Sequence, residues 1–119
     1  MTTIKLNNGV EMPRIGYGVY QVNPEECKRC VADALSVGYR MIDTASVYKN
    51  EESVGRAIAR CGVPRKDLFI TSKIWNTAQR LGDVQGAFSR SLDRLKLSYV
   101  DLCLIHWPVP GLSLIHISE

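Results

Sequence analysis

The chain has no apolar stretch approaching the ~20 residues that a membrane-spanning helix needs. Its first residues, Met1-Thr2-Thr3-Ile4-Lys5, lack the basic-then-apolar layout of a signal peptide. Charge of one sign is scarce as well: 15 Lys and Arg face 12 Asp and Glu, a net +3. The basic residues do not cluster, and the only adjacent pairs are Lys28-Arg29 and Arg65-Lys66. Such pairs read as solvated helix or loop faces, so neither nucleic acid nor a membrane is expected as partner. These absences point to a cytoplasmic protein, where thiols stay reduced.

Metal-ligating residues are few. Cys27 and Cys30 form a C-x-x-C, but no second cysteine pair stands at ligand spacing. With Cys61 and Cys103 they are read as packing or surface thiols, and no metal site is expected. A complete dinucleotide fingerprint is missing too. Gly16-Tyr17-Gly18 is followed by Val19-Tyr20-Gln21, so the third glycine of G-x-G-x-x-G is absent.

What is present is a repeated alternation of short apolar runs and capped helices. Residues 3–13 read as a hairpin turning at Asn7-Asn8-Gly9, because Asn-Gly tolerates positive φ at both positions. Strands are expected over 15–18, 39–43, 68–73 and 100–105. The first helix has Asn23 as N-cap, Pro24 at its first position, Glu26 for a capping box and Gly38 beyond its end. The second starts after Asn50 and ends at Gly62, with Pro64 barring continuation. The third carries Val84, Ala87, Phe88, Ser91, Leu92 and Leu95 at helical spacing. The order β-α-β-α-β-α-β, with nearly continuous apolar strands, is that of parallel strands buried on both faces. Periodicity alone leaves an open doubly wound sheet and a barrel both available.

Four polar residues stand where these runs end. Asp43 closes the second run, Tyr48 lies in the loop after it, Lys73 closes the third and His106 follows the fourth. Parallel strands would bring all four to one rim of the sheet, which in a β/α barrel is where active sites are built. An acid, a phenol, an ammonium and an imidazole together can protonate a carbonyl while another group delivers hydride. Taken singly each has an ordinary reading: Asp43 as a helix cap, Tyr48 as packing, Lys73 as solvent-facing, His106 as a satisfied core residue.

Several ordered stretches carry a resemblance. They are residues 38–45 (Gly-Tyr-Arg-Met-Ile-Asp-Thr-Ala), Tyr48-Lys49-Asn50-Glu51, Val54-Gly55, residues 68–76, Ser91-Leu92, Val100-Asp101-Leu102 and His106-Trp107-Pro108. Over residues 4–111 the chain resembles the N-terminal half of an aldo-keto reductase of the diketogluconate reductase-like kind. The resemblance implies an α/β fold, the first half of a (β/α)8 TIM barrel preceded by a β-hairpin. It implies NADPH-dependent reduction of aldehydes or ketones by a monomeric full-length protein, with residues 1–111 as half of its domain. Tyr48 would be the general acid, Lys73 the ammonium that favours its phenolate, Asp43 the ion-pair partner of Lys73, and His106 the group that orients the carbonyl. Gly18, Val19, Tyr20 and Asp43 would line the cofactor cleft; Tyr20, Val47, Trp75, His106 and Trp107 would wall the substrate pocket. The later loops of such a barrel, which hold most of the cofactor, are absent, so the chain alone is expected to be inactive. Two other functions remain open: a non-catalytic binding subunit on the same fold, and a self-associating half-barrel. Residues 112–119 break the pattern. They read as a fifth alternating strand, but also resemble the translation of a transposon end used in sequencing libraries, and are expected to be a non-native tail.

Overall fold

The computed structural model describes residues 3–75 and 82–106. The expectations for Trp107 and for residues 112–119 lie outside the described residues.

Strands β1 (Thr3–Lys5) and β2 (Glu11–Pro13) pair antiparallel as the expected hairpin. Its turn differs from the Asn-Gly expectation. Gly9 alone takes positive φ, at 87°, and its N–H donates to Leu6 O at 3.0 Å. Asn8 instead uses its side chain, whose Oδ1 accepts from the Val10 N–H. A three-residue loop with one left-handed glycine does the work for which a two-residue loop would need two such positions.

Three strands of the parallel sheet are shorter than the expected 15–18, 39–43 and 100–105, and the fourth keeps its six residues but runs one position later than 68–73. The sheet comprises β3 (Tyr17–Gly18), β4 (Met41–Asp43), β5 (Phe69–Ile74) and β6 (Leu102–Ile105), in that spatial order and all parallel. Residue 39 is lost to the sheet because its N–H closes the end of the preceding helix on Ala34 O. Helix α1 (Pro24–Ser36) begins as read: Asn23 Oδ1 accepts from the Glu26 N–H, and Gly38 follows the end at φ 112°. Helices α2 (Glu51–Arg60) and α3 (Val84–Leu95) complete the layer.

Register decides which side of the sheet each residue faces. Parallel partners share a face and successive residues alternate. Ile42 pairs with Ile70, so both point to one side. They join Val31 and Leu35 of α1, Val54 and Ile58 of α2, and Leu95 of α3 in one buried cluster. That side is therefore the helix side. The other side carries Gly18, Asp43, Thr71, Lys73, Leu102 and Leu104, by the pairings of Gly18 with Asp43, Asp43 with Thr71, and Lys73 with Leu104. No helix among the described residues is long and apolar enough to cross a membrane. All four cysteines are free thiols; Cys27 is fully buried, and burial pushes its thiol up to about 11, which leaves it inert.

Candidate active site

Every strand of a parallel sheet ends at the same rim. β4 ends on Asp43, Lys73 is the penultimate residue of β5, and His106 is the first residue past β6, its N–H donating to Ile74 O. Tyr48 comes from the short 3-10 turn Ser46–Tyr48 between β4 and α2. Ser46 Oγ donates to Lys73 O at 3.1 Å, which ties that turn to β5. Lys49 then takes φ 60°, reversing the chain so that α2 can start.

Lys73 is the hub. Its Nζ donates to Asp43 Oδ1 at 2.6 Å, to Thr44 O at 3.2 Å and to Tyr48 Oη at 3.4 Å. An ammonium has three donors, and these three acceptors use them all. The Lys73 side chain is only 14% exposed, so its contact with Asp43 is a partly buried ion pair rather than a screened surface one. Tyr48 Oη, by accepting from Lys73, leaves its own hydrogen to point elsewhere.

Tyr48 also lines a cleft of about 580 Å³, together with Tyr20, Gln21, Val47, Trp75 and His106. The rings pack edge to face: His106 stands 5.7 Å from Tyr48 and 5.2 Å from Trp75, and Tyr20 is 5.3 Å from Tyr48. Burial lowers the His106 pKa, and the Lys73 ammonium lowers it further against a smaller upward pull from Asp43. The imidazole is therefore neutral near pH 7, able to donate one hydrogen bond without competing as an acid. The linked effect on stability has a definite sign. The folded state binds this proton less readily than the unfolded chain, so stability is complete above 6.5 and falls as pH drops through that value. In a full-length protein carrying this chain, an NMR titration of His106 should give a midpoint below 6.5, and His106→Gln should flatten the acid limb of the stability curve. A midpoint above 6.5 would contradict this environment.

The structure thus brings together Asp43, Tyr48, Lys73 and His106, and places Tyr20, Val47 and Trp75 around them. Gly18 shares the face of Asp43, and space above it is open. Val19 follows Gly18 directly after the end of β3. Its side chain is fully buried, its N–H donates to Asp43 O, and its carbonyl accepts from Val22 N and Asn50 Nδ2. Both of its backbone groups are thus hydrogen-bonded within the protein, between the neighbouring Gly18 and Tyr20.

Two supporting residues were not singled out by sequence reasoning. Asn50 and Glu51 are each 1% exposed. Glu51 accepts from Ser72 Oγ and from Arg94 Nε, both at 2.7 Å, on the helix side of the strand that carries Lys73. Acidic residues at a helix start read as ordinary N-terminal charges; the partners, far away in sequence, have no local signal.

The comparisons with known proteins follow this geometry. The model of the aldo/keto reductase family, described as "Aldo/keto reductase family", matches residues 7–119. A glyoxal reductase of Bacillus subtilis is 55% identical over 107 residues, which are 89% of this chain and 39% of that protein. The methylglyoxal reductase DkgA of Escherichia coli is 49% identical over 112 residues, 94% of this chain and 40% of the relative. Among solved structures, an aldo/keto reductase from Brucella melitensis superposes with TM-score 0.88 at 50% identity, covering 92% of this chain and 42% of its own. The aldose reductase from Schistosoma japonicum gives 0.87 at 45% identity, covering 92% and 38%. The chain spans about two fifths of the length of these relatives.

Proposed function

This chain belongs to the aldo/keto reductase family, and we propose that it carries the proton-donating rim of an NADPH-dependent carbonyl reductase. Its four parallel strands are part of a (β/α)8 barrel, as in the family's solved members. The observation that carries the reading is the Lys73 ammonium, held by Asp43 at 2.6 Å and set against the Tyr48 hydroxyl at 3.4 Å, at the wall of one cleft.

Tyr48 donates its proton to the carbonyl oxygen. As negative charge develops on its oxygen, the adjacent ammonium stabilises it, and Asp43 keeps that ammonium in place and paired. Neutral His106 donates a hydrogen bond to the same carbonyl oxygen and fixes its orientation. A bound nicotinamide cofactor supplies the hydride to the carbonyl carbon. The product is an alcohol, and Tyr48 regains its proton from solvent.

The residues present fit such a cofactor in part. The open space above Gly18 permits close approach to the backbone. The Asp43 side chain keeps 38% exposure beside its Lys73 contact, enough to accept from a sugar hydroxyl. NADPH rather than NADH follows from the family resemblance. Tyr20, Val47 and Trp75 suit a small carbonyl with an apolar or sugar-like body. Glyoxal and methylglyoxal, from the names of the two bacterial relatives, are the first substrates to try.

The test is carbonyl-dependent loss of NADPH absorbance by a full-length protein carrying this chain. Turnover is expected from that protein, and none from residues 1–119 alone, because four strands of an eight-stranded barrel lack most of the cofactor's contacts. A full-length protein that turns over no aldehyde or ketone would refute the assignment.

A further inference from the structure

We propose that Asn50 is a positioning residue: its buried side-chain amide holds the turn that carries Tyr20 and so sets the wall of the cleft opposite Tyr48. The proposal rests on the carbonyl-reductase reading only for its kinetic consequence.

The amide has one arrangement that fits. Nδ2 donates to Val19 O at 3.0 Å and to Val22 O at 3.1 Å, while Oδ1 accepts from Thr44 Oγ1 at 2.8 Å. Two backbone carbonyls can only accept, so the nitrogen must face them. Asn50 stands at the start of α2, yet its side chain makes no capping bond there. Its hydrogen-bonding capacity is directed instead to residues 19–22, 28 and 31 positions upstream.

The turn it grips is strained. The Val22 N–H donates to Val19 O at 3.1 Å, closing four residues, and Gln21 in the third position takes φ 62°. A turn of this kind favours glycine there, because a side chain in the left-handed region costs energy. Tyr20, in the second position, is 66% exposed, so little packs upon it. Its ring nevertheless stands 5.3 Å from that of Tyr48. Gln21 Nε2 donates to Tyr20 Oη at 3.5 Å, a long and exposed bond, so the place of the ring is set chiefly by the backbone beneath it. Asn50 binds both ends of that backbone. Through Thr44 the same amide adjoins the tetrad, since Thr44 O accepts from Lys73 Nζ. Aspartate would set an acceptor against two carbonyls and bury a charge. Serine has no donor long enough to reach both.

The experiment uses a full-length protein carrying this chain and the variant Asn50→Ser, with two readouts. Hydrogen exchange at the Val22 amide should quicken by about tenfold or more, from loss of two buried hydrogen bonds, while the Ile42 and Ile70 amides stay protected. KM for an aromatic aldehyde should rise about tenfold, with kcat changed by less than about threefold. Adding Gln21→Gly, which relieves the left-handed strain at the loss of only the long, exposed bond to Tyr20 Oη, should recover part of the lost KM; a general loss of folding would not respond to a substitution in an exposed turn. If Asn50→Ser does not fold, Thr44→Val frees the amide from its other side and should also quicken Val22 exchange. Unchanged Val22 exchange in the folded variant overturns the proposal. So does a parallel fall in kcat and rise in KM that Gln21→Gly leaves untouched. A wild-type protein without carbonyl turnover refutes the reductase reading instead, and the exchange data then judge the clamp by themselves.

Discussion

Tyr48→Phe, made in a full-length protein carrying this chain, is expected to lower kcat for carbonyl reduction by about 10²- to 10⁴-fold. That loss corresponds to about 3–5 kcal/mol of transition-state stabilisation. Phenylalanine keeps the ring, so the edge-to-face contact with His106 at 5.7 Å and the packing against Tyr20 at 5.3 Å survive. Only the hydroxyl is lost, and with it the proton and the oxygen that Lys73 faces at 3.4 Å. Lys73 retains Asp43 and Thr44 O, so its charge remains paired. Cofactor affinity, measured by fluorescence titration with NADPH, should therefore change little. The split between binding and turnover is what marks an acid that acts in the transition state. A variant with wild-type kcat would remove Tyr48 from the mechanism.

The largest stability effect is expected at a residue with no chemistry. Gly55 lies in the buried face of α2 with its Cα against the backbone of Leu95, the last residue of α3. An added methyl would meet the Leu95 carbonyl oxygen inside van der Waals contact and stand 2.7 Å from its carbon. Backbone cannot rotate out of the way as a side chain can. Alanine gains about 1 kcal/mol over glycine in helix propensity, but overpacking of this kind costs about 1–3 kcal/mol or more. The helices would also have to part where Glu51 and Arg94 pair at 2.7 Å. Gly55→Ala should therefore be clearly destabilising, seen as a lower urea midpoint with an unchanged slope. Gly86→Ala is the matched control. The nearest atoms to its methyl are those of the Asp83 carboxylate, a half-exposed side chain that can swing aside at the loss of a surface ion pair with Arg90 worth little, so the helix gain should prevail. If Gly55→Ala is as well tolerated as Gly86→Ala, the close approach of α2 and α3 does not constrain the fold.

The element order was legible because it depends on local signals. Asn23 before Pro24, Gly38 past a helix end and the 3.6-residue spacing of 84–95 each act within a few residues. The structure shows the corresponding cap, left-handed glycine and helix. The same locality explains the misses. A strand end depends on which neighbour claims an N–H, so residue 39 went to α1 rather than to β4. The Asn7-Asn8-Gly9 turn was placed correctly but not its backbone form, since Asn8 had a side-chain alternative on Val10.

By itself the sequence determined that four polar groups follow apolar runs and that parallel strands would carry them to one rim. That follows from chain order and the two-residue alternation of a strand, which need no knowledge of distant partners. The tertiary structure decided what those groups touch. Lys73 meets Asp43 across 30 residues, Glu51 meets Arg94 across 43, and Asn50 reaches back 31 to Val19. It also engaged both backbone groups of Val19 within the protein, with Asp43 O on one side and Val22 N and Asn50 Nδ2 on the other. A hydrogen bond is set by the meeting of two surfaces to within a few tenths of an ångström. Only packing of the helices against the sheet fixes distances that closely, and no spacing along the chain encodes them.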